Sequence, residues 1–272
     1  MRRSTVFRRA AVVLVGGAAL LVGVPATPAA AASTTDWVTY GAVPAGGAVQ
    51  TVQGVSDGQG GCALDLSASL APAASVTRVD EVAFSPSLCR SQVAVTAGTG
   101  AAVETAEPSN TDAAASGNVA SQPAAGAPVP VPGGIVSTLN VHSAGYMKSW
   151  YQDPVGLVVN SVQNGTDWHW TGGCVIAPVY GSYRYTWFSP SGWSLQGNNW
   201  TNVYSCAMST SSSYVHFHNG IFCLFQSTDT YYNRNTVNGL ANGTLAGSIH
   251  AVKSGGCIGL LSFHYTLRRT LN

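Results

Sequence analysis

Apolar and polar residues alternate along this chain in short runs, and no segment keeps a helical period over a dozen residues. The clearest run is LLSFHYTLRR at residues 260–269. Successive side chains of a strand point to opposite faces, so this run predicts a strand with one apolar and one polar face. The apolar face comprises Leu261, Phe263, Tyr265 and Leu267, and the polar face Ser262, His264, Thr266 and Arg268.

The alternating runs fall into two groups. Residues 33–96 hold short runs bounded by Gly and Pro, which predicts a small β-rich module. Residues 97–134 contain no aromatic residue and are dominated by small residues and Pro, so they predict a linker that cannot form a core. Residues 135–272 predict an all-β antiparallel sandwich or a barrel-like domain. Whether the small module packs on this domain stays open.

Asn-Gly pairs are the strongest local signal for two-residue hairpin turns, and they occur at 164–165, 219–220, 238–239 and 242–243. A turn at Asn164-Gly165 would pair Ser161 with Trp168 and would place both Trp168 and Trp170 on the face of Ser161. A turn at residues 219–220 would build one apolar face from Val215, Phe217, Phe222 and Leu224.

The first 32 residues have the pattern of a secretory signal peptide. Arginines come first, an apolar run of about 15 residues follows, and small residues precede a cleavage point predicted after Ala32. The run is shorter than the roughly 20 residues of a membrane span, and no later run is long enough. We therefore predict a secreted, extracellular protein without a transmembrane segment after signal removal.

An even number of cysteines in an exported chain predicts disulfides. Cys62 and Cys89 stand alone in the first half of the chain and are expected to pair. The remaining four allow three connectivities, among which proximity in sequence favours two pairs. These are Cys174 with Cys206 and Cys223 with Cys257.

The charge of the mature chain excludes one class of partner. Four of the 12 Lys and Arg residues lie in the signal peptide, which leaves 8 basic residues against 11 acidic ones. Outside the signal no Lys or Arg cluster occurs, so binding to nucleic acid is not expected.

Aromatic residues are dense in residues 135–272, and they suggest two interpretations. Large aromatic side chains are usually buried, so the Trp pair of NGTDWHWTGGC would face the core. A ladder of exposed aromatics would instead stack on sugar rings. The candidate ligand-binding residues are Trp168, Trp170, Trp193, Trp200, Tyr183 and Tyr185.

Two further chemistries are weaker alternatives. His216 and His218 would project to one side of a strand, as some zinc sites require, with His250 or His264 as a third ligand. A hydrolase would have to use Asp153, Asp167 or the histidines, because the G-x-S-x-G and H-E-x-x-H motifs are absent and residues 135–272 contain no Glu.

Several stretches of the chain resemble secreted proteins of unknown function from actinomycetes. The resemblance implies secretion and disulfides, and no activity. The stretches are EVAFSPSLCR (81–90), SWYQDPVGLVVNSVQNGTDWHWTGGC (149–174), TYYNRNTVNGLANGTLAGS (230–248) and GGCIGLLSFHYTLRRTLN (255–272).

These patterns together predict a secreted, non-catalytic protein of the cell exterior or envelope. Extracellular polysaccharide or cell wall is the first expected partner, and no cofactor is expected. An extracellular hydrolase and a metal-binding protein are the alternatives, and the sequence leaves the oligomeric state open.

Overall fold

The computed structural model describes residues 36–98, 140–224 and 226–270 in full, together with the backbone of residues 115–123. These residues form strands and short 3₁₀ turns, with no α-helix and no helix long and apolar enough to cross a membrane. The predicted signal peptide, residues 1–32, lies outside the described residues. The strands are Val38–Thr39 (β1), Ala48–Gln53 (β2), Val55–Ser56 (β3), Cys62–Leu70 (β4), Val76–Ser85 (β5), Arg90–Gly98 (β6), Ala115–Pro123 (β7), Val141–Gln152 (β8), Val158–Trp170 (β9), Val175–Trp187 (β10), Trp193–Tyr204 (β11), Met208–Cys223 (β12), Gln226–Leu240 (β13), Leu245–Gly255 (β14) and Ser262–Thr270 (β15).

Two antiparallel sheets pack against each other, and the prediction of an all-β sandwich is confirmed. The larger sheet has the order β2-β6-β5-β15-β8-β9-β10-β7, with β1 paired to β5. The smaller sheet has the order β11-β12-β13-β14-β4-β3. Apolar side chains from both sheets meet in one core between them.

The strict alternation of the last run has the predicted consequence. The four residues of its apolar face are all buried in the core. Strand β15 lies in the middle of the larger sheet, between β5 and β8. Its polar side chains therefore point away from the smaller sheet, onto the outer face of the larger one.

Strands from the predicted N-terminal module and the predicted C-terminal domain share both sheets. Strand β5 pairs with β15 in the larger sheet, and β4 pairs with β14 in the smaller one. Thr35–Asn272 consequently form one compact unit. Within the predicted linker, Ala115–Pro123 pairs with β10 as an edge strand.

Three disulfides have the predicted pairing. Cys62 bonds to Cys89, and this bridge links β4 of the smaller sheet to the β5–β6 connection of the larger one. The other two bridges are Cys174–Cys206 and Cys223–Cys257.

The hairpin predicted at Asn164-Gly165 is wrong, because both residues lie inside the continuous strand β9. Strand β9 pairs with β8 on one side and β10 on the other. Asn164 points into the core and donates to Ser213 Oγ of the opposite sheet at 2.9 Å. A Cβ atom at Gly165 would lie 2.3 Å from Ser182 Oγ, so the glycine is needed for close strand packing and not for a turn.

The turn predicted at Asn219-Gly220 is also wrong. Strand β12 continues to Cys223, and Asn219 is fully buried, where its amide donates to the Ser191 carbonyl oxygen at 2.8 Å. Leu224, expected on the apolar face, is 90 % exposed. Asn242-Gly243 does lie in the β13–β14 turn, where Gly243 has a φ of 80°.

Candidate active site

A pocket of about 340 Å³ opens on the outer face of the larger sheet, beside the first residues of β15. Residues from β1, β5, β8 and β15 line it, together with the chain between β8 and β9. Its polar lining includes Arg78, Asp80, Asp153, Ser262 and His264.

Three of these side chains form a continuous chain of hydrogen bonds. Ser262 Oγ lies 2.8 Å from His264 Nε2, and His264 Nδ1 lies 2.7 Å from Asp80 Oδ1. Strand alternation puts Ser262 and His264 on one face, and the antiparallel register places His264 directly opposite Asp80. The arrangement therefore follows from the backbone of two neighbouring strands.

The protonation of the imidazole follows from its partners. A carboxylate can only accept a hydrogen bond, so Nδ1 of His264 carries the proton that Asp80 receives. In the neutral ring Nε2 then has a free lone pair and can accept the hydroxyl proton of Ser262. Ser262 Oγ also lies 3.3 Å from the carbonyl oxygen of Gln152. This contact is longer than the 2.8 Å contact of the hydroxyl with His264 Nε2.

Asp80 is held in its ionised form. Burial raises the pKa of its carboxyl group, but the hydrogen bonds and charges of His264 and Arg78 outweigh burial and bring the pKa below the ordinary value. Arg78 Nε donates to both carboxylate oxygens, at 2.9 and 2.8 Å. The carboxylate thus has fixed orientation and full charge at neutral pH.

The imidazole ring is also fixed from its face. The fully buried Trp150 stacks on His264 with ring centroids 5.4 Å apart and planes inclined by 13°. Trp150 lies opposite His264 on β8, as Asp80 does on β5. Neighbouring strands on both sides therefore position the ring.

A buried ion pair beneath the pocket anchors the start of β15. Glu81 Oε2 accepts from Lys253 Nζ at 3.0 Å and from the backbone N–H of Phe263 at 2.9 Å. Lys253 Nζ also donates to the carbonyl oxygen of Leu261 at 2.8 Å. These bonds hold the backbone on both sides of Ser262, and breaking such a buried pair typically costs about 3–5 kcal/mol.

The structure buries three of the six aromatic residues proposed for ligand binding. Trp168 is 0 % exposed, and Trp193 and Tyr183 are each 2 % exposed. These three side chains are therefore not solvent-facing, and Trp168 has the core position that was one of the two interpretations of the Trp pair. Trp168 lies against Gly239, where a Cβ atom would come within 2.3 Å of the indole, and its Nε1 donates to the Leu240 carbonyl oxygen.

The faces predicted from a hairpin change with the continuous strand. Trp168 shares its inward face with Asn164 and Thr166, and not with Ser161. Because the turn was predicted at residues 164–165, the residues sharing a face with Trp168 were predicted wrongly. The inward direction of Trp168 itself was one of the two interpretations.

The other three aromatic candidates are half-buried and pack against the core. Trp170 Nε1 donates to Ser143 Oγ at 3.1 Å, and Trp200 Nε1 donates to Ser211 Oγ at 2.9 Å. Tyr185 lies beside Tyr183, with ring centroids 5.3 Å apart. The indole N–H groups of Trp170 and Trp200 are therefore used within the fold.

The histidines proposed as metal ligands share one carboxylate. His216 Nε2 and His218 Nδ1 lie 2.7 and 3.0 Å from the same oxygen of Asp229 on β13. His216 stacks on Tyr231 at 4.1 Å. Whether this group binds a metal stays a prediction.

Neither aspartate of the hydrolase alternative belongs to the Ser262 chain. Asp153 lines the same pocket, but its Oδ1 accepts from the backbone N–H groups of Val155 and Leu157 and so stabilises a turn. Asp167 pairs with His142. Sequence reasoning missed Asp80 because it looked for partners within residues 135–272. The sequence did contain one signal for this site, which was the presence of Ser262 and His264 on the same polar face of the last strand.

Comparison with known proteins gives no assignment. No protein-family model, no curated protein and no solved structure matches this chain. Function is therefore argued from the geometry of the site itself.

Proposed function

We propose that the protein is an extracellular hydrolase of the acyl-transfer type. Ser262 is the nucleophile, His264 the general base and Asp80 the residue that orients the base. The observation that carries this proposal is the unbroken chain of 2.8 and 2.7 Å contacts on the wall of an open pocket. A nucleophile bonded to a base that a third group orients is the arrangement that activates a serine.

The reaction follows from the positions of the protons. Ser262 Oγ attacks the carbonyl carbon of an ester or amide while its proton passes to His264 Nε2. That proton then moves to the leaving alcohol or amine as the carbonyl–heteroatom bond breaks, which leaves an acyl-serine. Water attacks the acyl group while His264 takes a proton from it. That proton then passes to Ser262 Oγ as the acyl–oxygen bond breaks, which releases the carboxylic acid and restores Ser262 and neutral His264.

Asp80 contributes through the imidazole. Its lowered pKa keeps it negative, so it stabilises the imidazolium that forms each time His264 takes a proton. The Arg78 guanidinium fixes the orientation of the carboxylate, and its positive charge partly offsets the negative charge that Asp80 presents to His264. Arg78 and Trp150 are therefore positioning residues.

This proposal replaces non-catalytic sugar binding as the first choice. The binding hypothesis needed solvent-facing aromatics, and Trp168, Trp193 and Tyr183 are buried. Of the six candidate aromatics, Trp170, Trp200 and Tyr185 are half-buried and remain available for binding polysaccharide. The extracellular location is supported by three disulfides, which form and persist in oxidising compartments.

The test is covalent labelling of the disulfide-intact chain by a fluorophosphonate, which reacts with activated serines. We expect one label per chain, on the peptide that contains Ser262, and turnover of short p-nitrophenyl esters. Ser262→Ala should abolish the label and lower the rate at least about 10³-fold. The matched control is Ser161→Ala, a serine that bonds Thr186 at 2.7 Å and no imidazole.

The control variant should label and turn over like the wild type. Absence of labelling in the folded wild type, or equal labelling of Ser262→Ala, would contradict the assignment. Near-UV circular dichroism of each variant shows whether the fold is retained.

A further inference from the structure

A second group of polar side chains lies on the outer face of the larger sheet, where β8 begins and β9 ends. His142 on β8 lies directly opposite His169 on β9, and Asp167 precedes His169 by two residues. Alternation about the buried Trp168 therefore turns Asp167 and His169 outward on the same face as His142.

The three side chains converge. His142 Nε2 lies 2.7 Å from Asp167 Oδ1, and the two imidazole rings have centroids 4.9 Å apart. One potential ligand atom from each residue lies within 4.8 Å of the other two. Among the described residues this is the one group of three or more His, Cys, Asp or Glu side chains that meets that distance.

We infer that His142, Asp167 and His169 form a binding site for a divalent first-row transition ion, with Zn²⁺ as the best match. Two imidazoles and one carboxylate are ligands that Zn²⁺ accepts, at bond lengths of about 2.0–2.2 Å. In a tetrahedral site such bonds place ligand atoms about 3.4 Å apart. His142 Nε2 and Asp167 Oδ1 are already 2.7 Å apart, and the three ligand atoms all lie within 4.8 Å of one another, so the group is close to the spacing that a tetrahedral ion requires.

The surroundings of the group favour coordination. Asn140 Oδ1 lies 2.9 Å from His169 Nδ1, so it can hold that nitrogen as a donor and leave Nε2 as the ligand atom. Outer contacts of this kind orient ligating histidines. Three protein ligands leave a fourth position of a tetrahedral ion to water, as in catalytic zinc sites.

The backbone that carries these ligands is rigid. Trp168 is held between the sheets by its bond to the Leu240 carbonyl oxygen, and Trp170 bonds Ser143 of the neighbouring strand. Asp167 adjoins Trp168 in sequence, and His169 lies between Trp168 and Trp170. The DWHW motif thus combines an inward anchor with an outward pair of ligands.

This site is independent of the proposed hydrolase. His142, Asp167 and His169 do not line the Ser262 pocket. A metal-binding result therefore neither requires nor excludes the acyl-transfer chemistry.

The test is calorimetric titration of ZnCl₂ into the disulfide-intact chain, produced without a polyhistidine tag. We expect one site in the wild type. His142→Ala and His169→Ala should each weaken its affinity at least about 100-fold, and Asn140→Ala about tenfold. The matched control, His216→Ala combined with His218→Ala, removes two imidazoles beside Asp229 and should leave the affinity within twofold.

Cobalt substitution provides the second measurement. Co²⁺ should give the strong visible absorption of a four-coordinate ion in the wild type and in the control, and lose it in His142→Ala. No binding by the wild type, or loss of binding only in the His216 and His218 double variant, would overturn the inference. Retention of the site by Ser262→Ala shows its independence from the pocket.

Discussion

Among the places where an imidazole lies 2.7 Å from a carboxylate, two regions on different sheets differ in what else the imidazole contacts. On the larger sheet His264 bonds Asp80 and Ser262. On the smaller sheet His216 bonds Asp229, which also bonds His218. The distance is the same, but Asp80 contacts Nδ1 of its histidine and Asp229 contacts Nε2. In the first region a hydroxyl, that of Ser262, lies on the other ring nitrogen.

Burial separates the two regions further. The side chains of His264 and Asp80 are 10 % and 8 % exposed, whereas those of His216 and Asp229 are 21 % and 19 % exposed. Hydrogen bonds and charges act more strongly where water is excluded. A His–Asp pair therefore suits catalysis only when strand alternation also supplies a nucleophile and the sheet face excludes water around it.

The largest expected difference between the regions comes from replacing each imidazole with an amide of similar shape. His264→Gln should lower ester hydrolysis at least about 10³-fold, because glutamine cannot take the proton of Ser262 and the members of such a chain act as a unit. His216→Gln should change the rate less than twofold. Steady-state kinetics with a p-nitrophenyl ester gives both values, and equal losses in the two variants would refute the comparison.

A smaller difference is expected from the carboxylates. Asp80→Asn removes the acceptor that holds the His264 tautomer, so we expect the rate to fall by up to about 10⁴-fold, which is still less than when the base itself is lost. Asp229→Asn should leave the rate within twofold. The measurement is kcat together with the fluorophosphonate labelling rate. An Asp80→Asn variant that is folded and fully active would show that His264 needs no orienting group.

Local pattern predicted much of this fold. The alternation of residues 260–269 gave the correct faces of β15, and it put Ser262 and His264 side by side before their partner was known. Sequence proximity also favoured the correct disulfides. These features depend on near neighbours along the chain, where strand geometry applies directly.

The rest depended on contacts between residues distant in sequence. Asp80 and His264 are 184 residues apart, and the register of β5 against β15 brings them together. Asn164-Gly165 has the local signal of a turn, yet Asn164 bonds across to the smaller sheet and Gly165 packs against Ser182. Gly239 likewise makes room for Trp168. Tertiary packing thus outweighed turn propensity at these positions. Such packing cannot be predicted from the local sequence pattern, because the partners are distant in sequence.

The smallest expected effect concerns the pH dependence of stability. The pKa of Asp80 in the folded protein lies below its ordinary value, which is about 3.9 in an unfolded chain. As pH falls through that interval the unfolded chain binds a proton that folded Asp80 does not, so acid favours unfolding. The stabilisation from Asp80 is therefore complete above about pH 5 and is lost as pH falls through the folded pKa.

Urea unfolding at pH 7, 5, 4 and 3 measures this effect in the wild type and in Asp80→Asn. The wild type should lose more unfolding free energy between pH 4 and pH 3 than the variant, and the difference between them should be constant above pH 5. Asp36, whose pKa is also lowered by hydrogen bonds from Ser87 and Ser85, contributes equally to both proteins and cancels. Equal losses of unfolding free energy in the two proteins between pH 4 and pH 3 would mean that the bonds from His264 and Arg78 do not hold the Asp80 charge. The stronger electrostatics expected of the less exposed region would then be absent.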